Sequence, residues 1–250
     1  ILFCLNNWLD TSAFGEIVLE EASPPTPTPA YTPTSTPIPT PVVTLLSTPT
    51  PAPLPTVIAL PPDLQAFYNF DEGSGASAND SSGNGNHGAI NGAIWATGKN
   101  GGALSFDGND YVQIPGLLEQ PQNITISAWA NLHGADTGGA ELISLGDHMS
   151  LRLDGTGGKG AMGFYYDGTT WHVTSTGISY AGMGWHHFVY VMDDTNNLQK
   201  VYVDGVEKGS TTYTQSISHT GLGTNTFIGR HGNGGGNTDL NGVVDDVRVY

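Results

Sequence analysis

A single cysteine, Cys4, stands in 250 residues, so no intrachain disulfide can form. Many extracellular domains rely on such bridges, but a sandwich of this size does not need one. Positive charge is also scarce. Lys plus Arg number 7 against 23 Asp plus Glu, a formal charge of −16, and the seven basic residues are scattered between Lys99 and Arg248. A phosphate-binding surface needs concentrated cationic charge, which excludes nucleic acid and anionic membranes as partners. No stretch approaches the roughly 20 apolar residues of a membrane span, so membrane insertion is not expected. Proline nearly vanishes beyond Pro62: fourteen of the sixteen lie between Pro24 and Pro62, leaving Pro115 and Pro121.

That imbalance divides the chain. Residues 1–22 carry no assignable pattern. Residues 23–62 form a Pro/Thr-rich linker, in which proline fixes φ, removes backbone donors and extends its neighbours. The expected state is a disordered but stiff polyproline-II-like spacer, which makes sense outside the cell or on its surface. Residues 63–250 form one domain, of ample size for a single core.

In that domain short alternating segments are separated by Gly- and Asp-rich turns. Leu104 and Phe106 alternate with polar neighbours up to an acidic turn, Asp107-Gly108-Asn109-Asp110, and Tyr111, Val112 and Ile114 resume beyond it. Period-two alternation marks half-buried strands, and the turn residues tolerate left-handed backbone. Ile124, Ile126, Ala128 and Ala130 share one face. Asp154-Gly155, Asp167-Gly168 and Asp204-Gly205 read as hairpin turns. Trp185–Met192 is apolar on both faces and belongs inside a sheet. No segment keeps a 3.6-residue apolar stripe. More than ten short strands predict an all-β, two-sheet antiparallel sandwich.

Six elements in order then carry a resemblance. They are Phe-Asp-Gly-Asn-Asp-Tyr-Val (106–112), Ile-Thr-Ile-Ser-Ala-Trp (124–129), Trp-His-His-Phe (185–188), Val-Tyr-Val-Asp-Gly-Val (201–206), Phe-Ile-Gly (227–229) and Asn-Gly-Val-Val-Asp-Asp-Val-Arg-Val-Tyr (241–250). Together they resemble the laminin-G-like, concanavalin-A-like lectin jelly-roll domains of bacterial secreted proteins. The resemblance implies a jelly-roll sandwich, often with one structural Ca²⁺, and sugar or protein recognition. The Ala-Leu-Ser segment that usually follows the last strand is absent, and truncation at the C-terminus is expected.

Ca²⁺ takes 6–8 oxygen ligands. Asp107 matches the family's Phe-Asp-Gly position, while Asp245 and Asp246 match its Asp-Asp pair. The expected calcium set is Asp107 with Asp245 or Asp246, and the loop bearing Asp80 and Asn86 adds further oxygens. Strict alternation would put Asp245 and Asp246 on opposite faces. The plainer alternative makes Asp107–Asp110 a turn only and pairs Asp246 with Arg248. Trp185-His186-His187 is no chelating pair, since adjacent strand residues face opposite sides.

Sugar recognition needs aromatic platforms beside polar partners. Tyr165, Tyr166 and Trp171 flank the turn at 167–170, and a Gly-rich loop begins at His231; these are the ligand-binding candidates, against the alternative that the aromatics are core. Retaining sugar hydrolases of this fold place Glu-x-Asp-x-Glu on one strand, because two carboxylates must flank the bond. Beyond Pro62 the only Glu residues are Glu72, Glu119, Glu141 and Glu207, and none lies in that pattern. The expectation is a non-catalytic carbohydrate-binding or adhesion module of a larger secreted or cell-surface protein, with a polysaccharide, glycan or extracellular protein as partner. The alternative is a structural or protein-interaction domain without sugar affinity; a glycoside hydrolase is a remote third.

Overall fold

The computed structural model describes residues 60–134, 138–236 and 238–250. Segment 1–22 and nearly all of the linker 23–62 lie outside the described residues. Among those described there are sixteen strands, one short 3₁₀ turn (Thr156–Gly158) and no α-helix, so no helix is long and apolar enough to cross a membrane.

The strands form two antiparallel sheets. The first runs β14 (Val206–Thr212), β13 (Leu198–Val203), β12 (Trp185–Asp193), β7 (Asn123–Gly134), β16 (Asn241–Val249), β5 (Gly102–Asp107), β4 (Ile94–Thr97). Here β1 (Ala66–Tyr68) pairs with the far half of β16, on the same side as β5. The second runs β11 (Trp171–Ser175), β10 (Met162–Tyr166), β9 (Met149–Gly155), β8 (Gly139–Leu145), β15 (Thr226–Ile228), β6 (Tyr111–Ile114), β3 (Gly88–Asn91), β2 (Ser77–Ala78). The connections β5–β6, β7–β8 and β15–β16 each cross between sheets, which makes the sandwich a jelly roll.

Alternation supplies the core. Ile124, Ile126, Ala128 and Ala130 of β7 are buried beside Phe188, Tyr190 and Met192 of the interior strand β12, facing Met149, Leu151, Leu153 and Tyr165 of the second sheet. Each large apolar side chain contributes about 1.5–3 kcal/mol by leaving water. The layers approach closely at Gly163, where a Cβ would collide with the Tyr190 ring.

Two turns depart from expectation. The acidic turn Asp107–Asp110 does not join a hairpin: β5 pairs with β4 and β16, whereas β6 pairs with β3 and β15. A Phe-Asp-Gly-Asn-Asp-Tyr run has the residues of a tight turn, but its flanking apolar positions are claimed by two different sheets. Asp154-Gly155 continues β9 instead of turning it. A further connection that changes sheets is at Gly92 (φ 86°), between β3 and β4. By contrast, Asp204 (φ 51°) and Gly205 (φ 76°) make a two-residue hairpin turn with both residues left-handed.

Candidate functional site

The outward face of the second sheet carries the site. On β10, Met162, Phe164 and Tyr166 alternate with inward Gly163 and Tyr165, and the register sets Val173 beside Phe164 and Trp171 beside Tyr166. On β9, Ser150 and Arg152 occupy the same face, next to Glu141 on β8. The segment between β15 and β16 lies across this face: Thr238 O accepts from Glu141 N at 2.8 Å, and Ser144 Oγ donates to Arg230 O at 3.2 Å. Its start brings His231 to within 3.6 Å of Asp147.

Between these parts lies a pocket of 290 Å³, with Met162, Phe164 and Val173 as apolar lining, Asp147, Arg152 and His231 as polar groups, and Trp171 beside them. Trp171 is 40% exposed, propped edge-on by Phe164 at 5.4 Å and backed by Tyr166 at 5.0 Å. Asp167 fixes the turn before it: Oδ1 accepts from Thr169 N and Thr170 N at 2.7 Å each, and Oδ2 holds His172 Nε2 at 2.7 Å. The hydrogen bond from His172, with that from Thr170, pulls the Asp167 carboxyl down to about 2.

Beneath the pocket, Glu141 is buried. Its Oε2 accepts from Arg152 Nε at 2.6 Å and its Oε1 from Ser150 Oγ, while the Arg152 guanidinium lies 4.9 Å from the Phe164 ring centre. Burial pushes the Glu141 carboxyl up, against the pull of Arg152. Burial likewise raises Asp147, opposed by His231, His148 and Arg152.

Trp171 and His231 therefore converge from elements 60 residues apart in sequence. Tyr166 supports Trp171 from outside the pocket lining. Tyr165 does not line this pocket. Strand alternation turns it into the core, where it is fully buried, stacks on His172 at 4.8 Å and donates to Gln215 O at 2.6 Å. Sequence reasoning missed Asp147, Arg152 and Phe164.

The calcium candidates separate into three places. Asp107 pairs in register with Asn241 and Leu104 with Val244, so Asp107 and Asp245 stand four residues apart, about 13 Å along the strand. Asp107 Oδ1 accepts from Asn109 N at 3.0 Å, a turn contact. Arg230 meets this region: its Nη2 donates to Asn109 O at 2.8 Å, its Nε to Asp239 at 3.2 Å, and its guanidinium lies 3.9 Å from the Tyr111 ring centre.

Asp80 organises its own loop, accepting from Phe67 N, Ser82 N and Asn86 N at 2.9–3.0 Å. Burial alone would raise its carboxyl; these bonds outweigh that and hold it below the usual range. The Asn86 side chain donates to Gln65 O at 2.9 Å.

Asp245 and Asp246 stay together, contrary to strict alternation. A bulge interrupts the β16–β7 register between Asp245 and Arg248, and Asp246 takes φ 53°. Both carboxylates consequently reach Asn100: Asp245 Oδ2 accepts from its N at 2.8 Å, Asp246 Oδ2 from its side-chain amide at 2.9 Å. Asp246 Oδ1 also takes Arg248 at 3.1 Å. Asp245 is fully buried and its Oδ1 has no partner; burial, with the Asp246 charge, pushes its carboxyl up to about 6. A Cβ on Gly98 would collide with both Asp245 Oδ2 and the Gly102 carbonyl, so oxygens crowd this cradle. Among the described residues no group of three or more His, Cys, Asp or Glu has metal-binding geometry. His186 and His187 diverge, His186 binding Asp204 at 2.6 Å and His187 packing on Trp129 at 5.2 Å.

The sheet order and the crossovers define a jelly-roll sandwich. Residues 106–250 match the Laminin_G_3 family model, described as the concanavalin A-like lectin/glucanases superfamily, and the chain belongs to that family. No curated protein matches the sequence. Among solved structures, domain 4 of an extracellular arabinanase (AbnA) from Geobacillus stearothermophilus, in complex with arabinotriose, has a TM-score of 0.60 at 24% identity, covering 75% of this chain and 92% of that one. A botulinum neurotoxin serotype D/C binding domain has a TM-score of 0.52 at 11% identity, covering 75% and 48%. Trypanosoma rangeli sialidase has 0.51 at 18%, covering 74% and 30%. This chain thus spans less than half of the last two, and at these identities the likeness establishes the fold.

Proposed function

We propose that residues 63–250 are a non-catalytic carbohydrate-binding module of a larger secreted or cell-surface protein, carried on the Pro/Thr-rich spacer. The observation that carries this reading is the convergence of Trp171 and His231 on one pocket with Asp147 and Arg152. Sugar faces stack on an exposed ring, and sugar hydroxyls need directional donors and acceptors beside it; the pocket supplies both. The solved relatives add support: the arabinanase domain is in complex with arabinotriose, and cell entry of botulinum neurotoxin type C depends on interaction with two ganglioside molecules. Hydrolysis is disfavoured because Glu141, the one Glu at the pocket, is buried and committed to Arg152 and Ser150, whereas retaining hydrolysis needs two accessible carboxylates across the bond.

An oligosaccharide panel read by calorimetry tests the module. Binding should weaken about tenfold or more in Trp171→Ala. Silence of the folded wild type across the panel would favour the reading as a protein-interaction domain, and hydrolysis of any polysaccharide would overturn both.

We also propose a structural Ca²⁺ held by Asp245 and Asp246 with the Gly102 carbonyl. The buried Asp245 Oδ1 has no partner and stands beside a second carboxylate, and the Gly102 carbonyl lies close to Asp245 Oδ2; hard oxygen donors of this kind suit a hard cation. Melting in excess Ca²⁺ against EDTA checks it.

A further inference from the structure

The sugar pocket has an unusual charge arrangement. Its permanent cation, Arg152, is already engaged: Nε donates to buried Glu141 at 2.6 Å, its Nη1 to Gly138 O at 3.4 Å, and its plane rests on Phe164. Its histidine, His231, faces Asp147 at 3.6 Å. Apart from the imidazole, the group carries two carboxylates, Asp147 and Glu141, against one guanidinium. A ligand carboxylate entering the pocket would meet Asp147, whose side chain is only 18% exposed and so weakly screened. To recruit Arg152 instead, it would have to draw the guanidinium from Glu141, which is 1% exposed, leaving a buried carboxylate uncompensated. Neutral sugars face neither penalty. Their hydroxyls donate to Asp147 and accept from His231, and neither needs Arg152 to move.

Resting on the carbohydrate-binding reading above, we infer that the pocket beside Trp171 and His231 selects neutral sugars and rejects uronic and sialic acids, with Asp147 as the residue that discriminates. The relation runs opposite to a lectin site built around a free arginine, where a bidentate fork receives the sugar carboxylate. Here the protein's own Glu141 occupies that position.

The test uses matched oligosaccharides that differ only in a terminal hexose against the corresponding hexuronic acid, with an asialo and sialylated pair alongside. Dissociation constants are measured on the wild-type chain and on Asp147→Asn. Neutral members should bind about tenfold or more tightly than their acidic partners, and the ratio should shrink in Asp147→Asn. Should that variant fail to fold, Asp147→Ser, which also removes the charge, replaces it. Equal or tighter binding of the acidic members would overturn the selectivity while leaving sugar recognition standing. A ratio unmoved by removing the Asp147 charge would take Asp147 out of the role. If a correctly folded chain binds no member of any pair, the sugar reading itself fails and the selectivity goes with it.

Discussion

Asp167 performs three tasks in four residues: it accepts from two turn amides and orients His172, and so delivers Trp171 to the pocket. Its carboxyl is drawn down to about 2 by the hydrogen bond from His172. A carboxylate whose folded pKa is depressed contributes stability above its unfolded value, near 3.9, and loses it as pH falls toward 2. Asp167→Asn should therefore lower the melting temperature by a few degrees at pH 7 and hardly at all at pH 2. Equal losses at both pH values would mean that the turn contacts, not the charge, do the stabilising. At this scale the sequence was partly legible. Asp167-Gly168 marks a turn on local chemistry alone, and Trp171 directly follows it. The meeting of Arg152 and Asp147 with His231 was not, because nothing local says that distant segments converge on one pocket. The scarcity of basic residues was a usable signal: Arg152 sits between Ser150 and Asp154 in a strand whose other positions are apolar, so it had to mark the outward face.

Elements were more legible than their connections. Strand positions in the sequence match the observed strands where period-two burial is written into the segment, as in Tyr111–Ile114. Whether two neighbouring strands pair with each other depends on distant partners, and so the Asp107–Asp110 turn looks like a hairpin but spans two sheets. Bulges are equally hidden: the alternation of Asp245 and Asp246 fails because Asp246 adopts φ 53°, a choice made by tertiary packing. The segment between β15 and β16 is the third case. Its run of glycines gives it little intrinsic order, yet it carries His231, so something must hold it. Arg230 does so through Asp239, Asn109 O and the Tyr111 ring. Arg230→Ala should cost about 2 kcal/mol or more, and Arg230→Lys should recover only part, since a point charge cannot reproduce a fork stacked on a ring. Amide exchange at Gly229 and Leu240, whose hydrogen bonds close this segment, should rise in both variants. Full protection in Arg230→Lys would show that charge alone suffices.

On the scale of the whole molecule, one place ties the fold's beginning to its end. The last strand, β16, is flanked on one side by β5 along Asn241–Val244 and by β1 along Val247–Val249, and the bulge with Asp245 and Asp246 falls where those two partners abut. Phe70, just after β1, sits there at φ 52°, a second strained residue, and its carbonyl crowds Gly102. Holding a buried, partnerless carboxylate oxygen beside a second carboxylate is costly, and a divalent cation would offset it. Ca²⁺ that binds only the folded chain stabilises by mass action, about 2.7 kcal/mol at a hundred times the dissociation constant. For a domain of this size that corresponds to roughly 5–10 °C in melting temperature. The gain should vanish in Asp245→Asn and persist in Asp107→Asn, because Asp107 stands at the far end of β5. A Ca²⁺-dependent rise lost in both variants would restore the longer ligand set, and a melting temperature indifferent to Ca²⁺ and EDTA would leave the bulge a strained but metal-free junction.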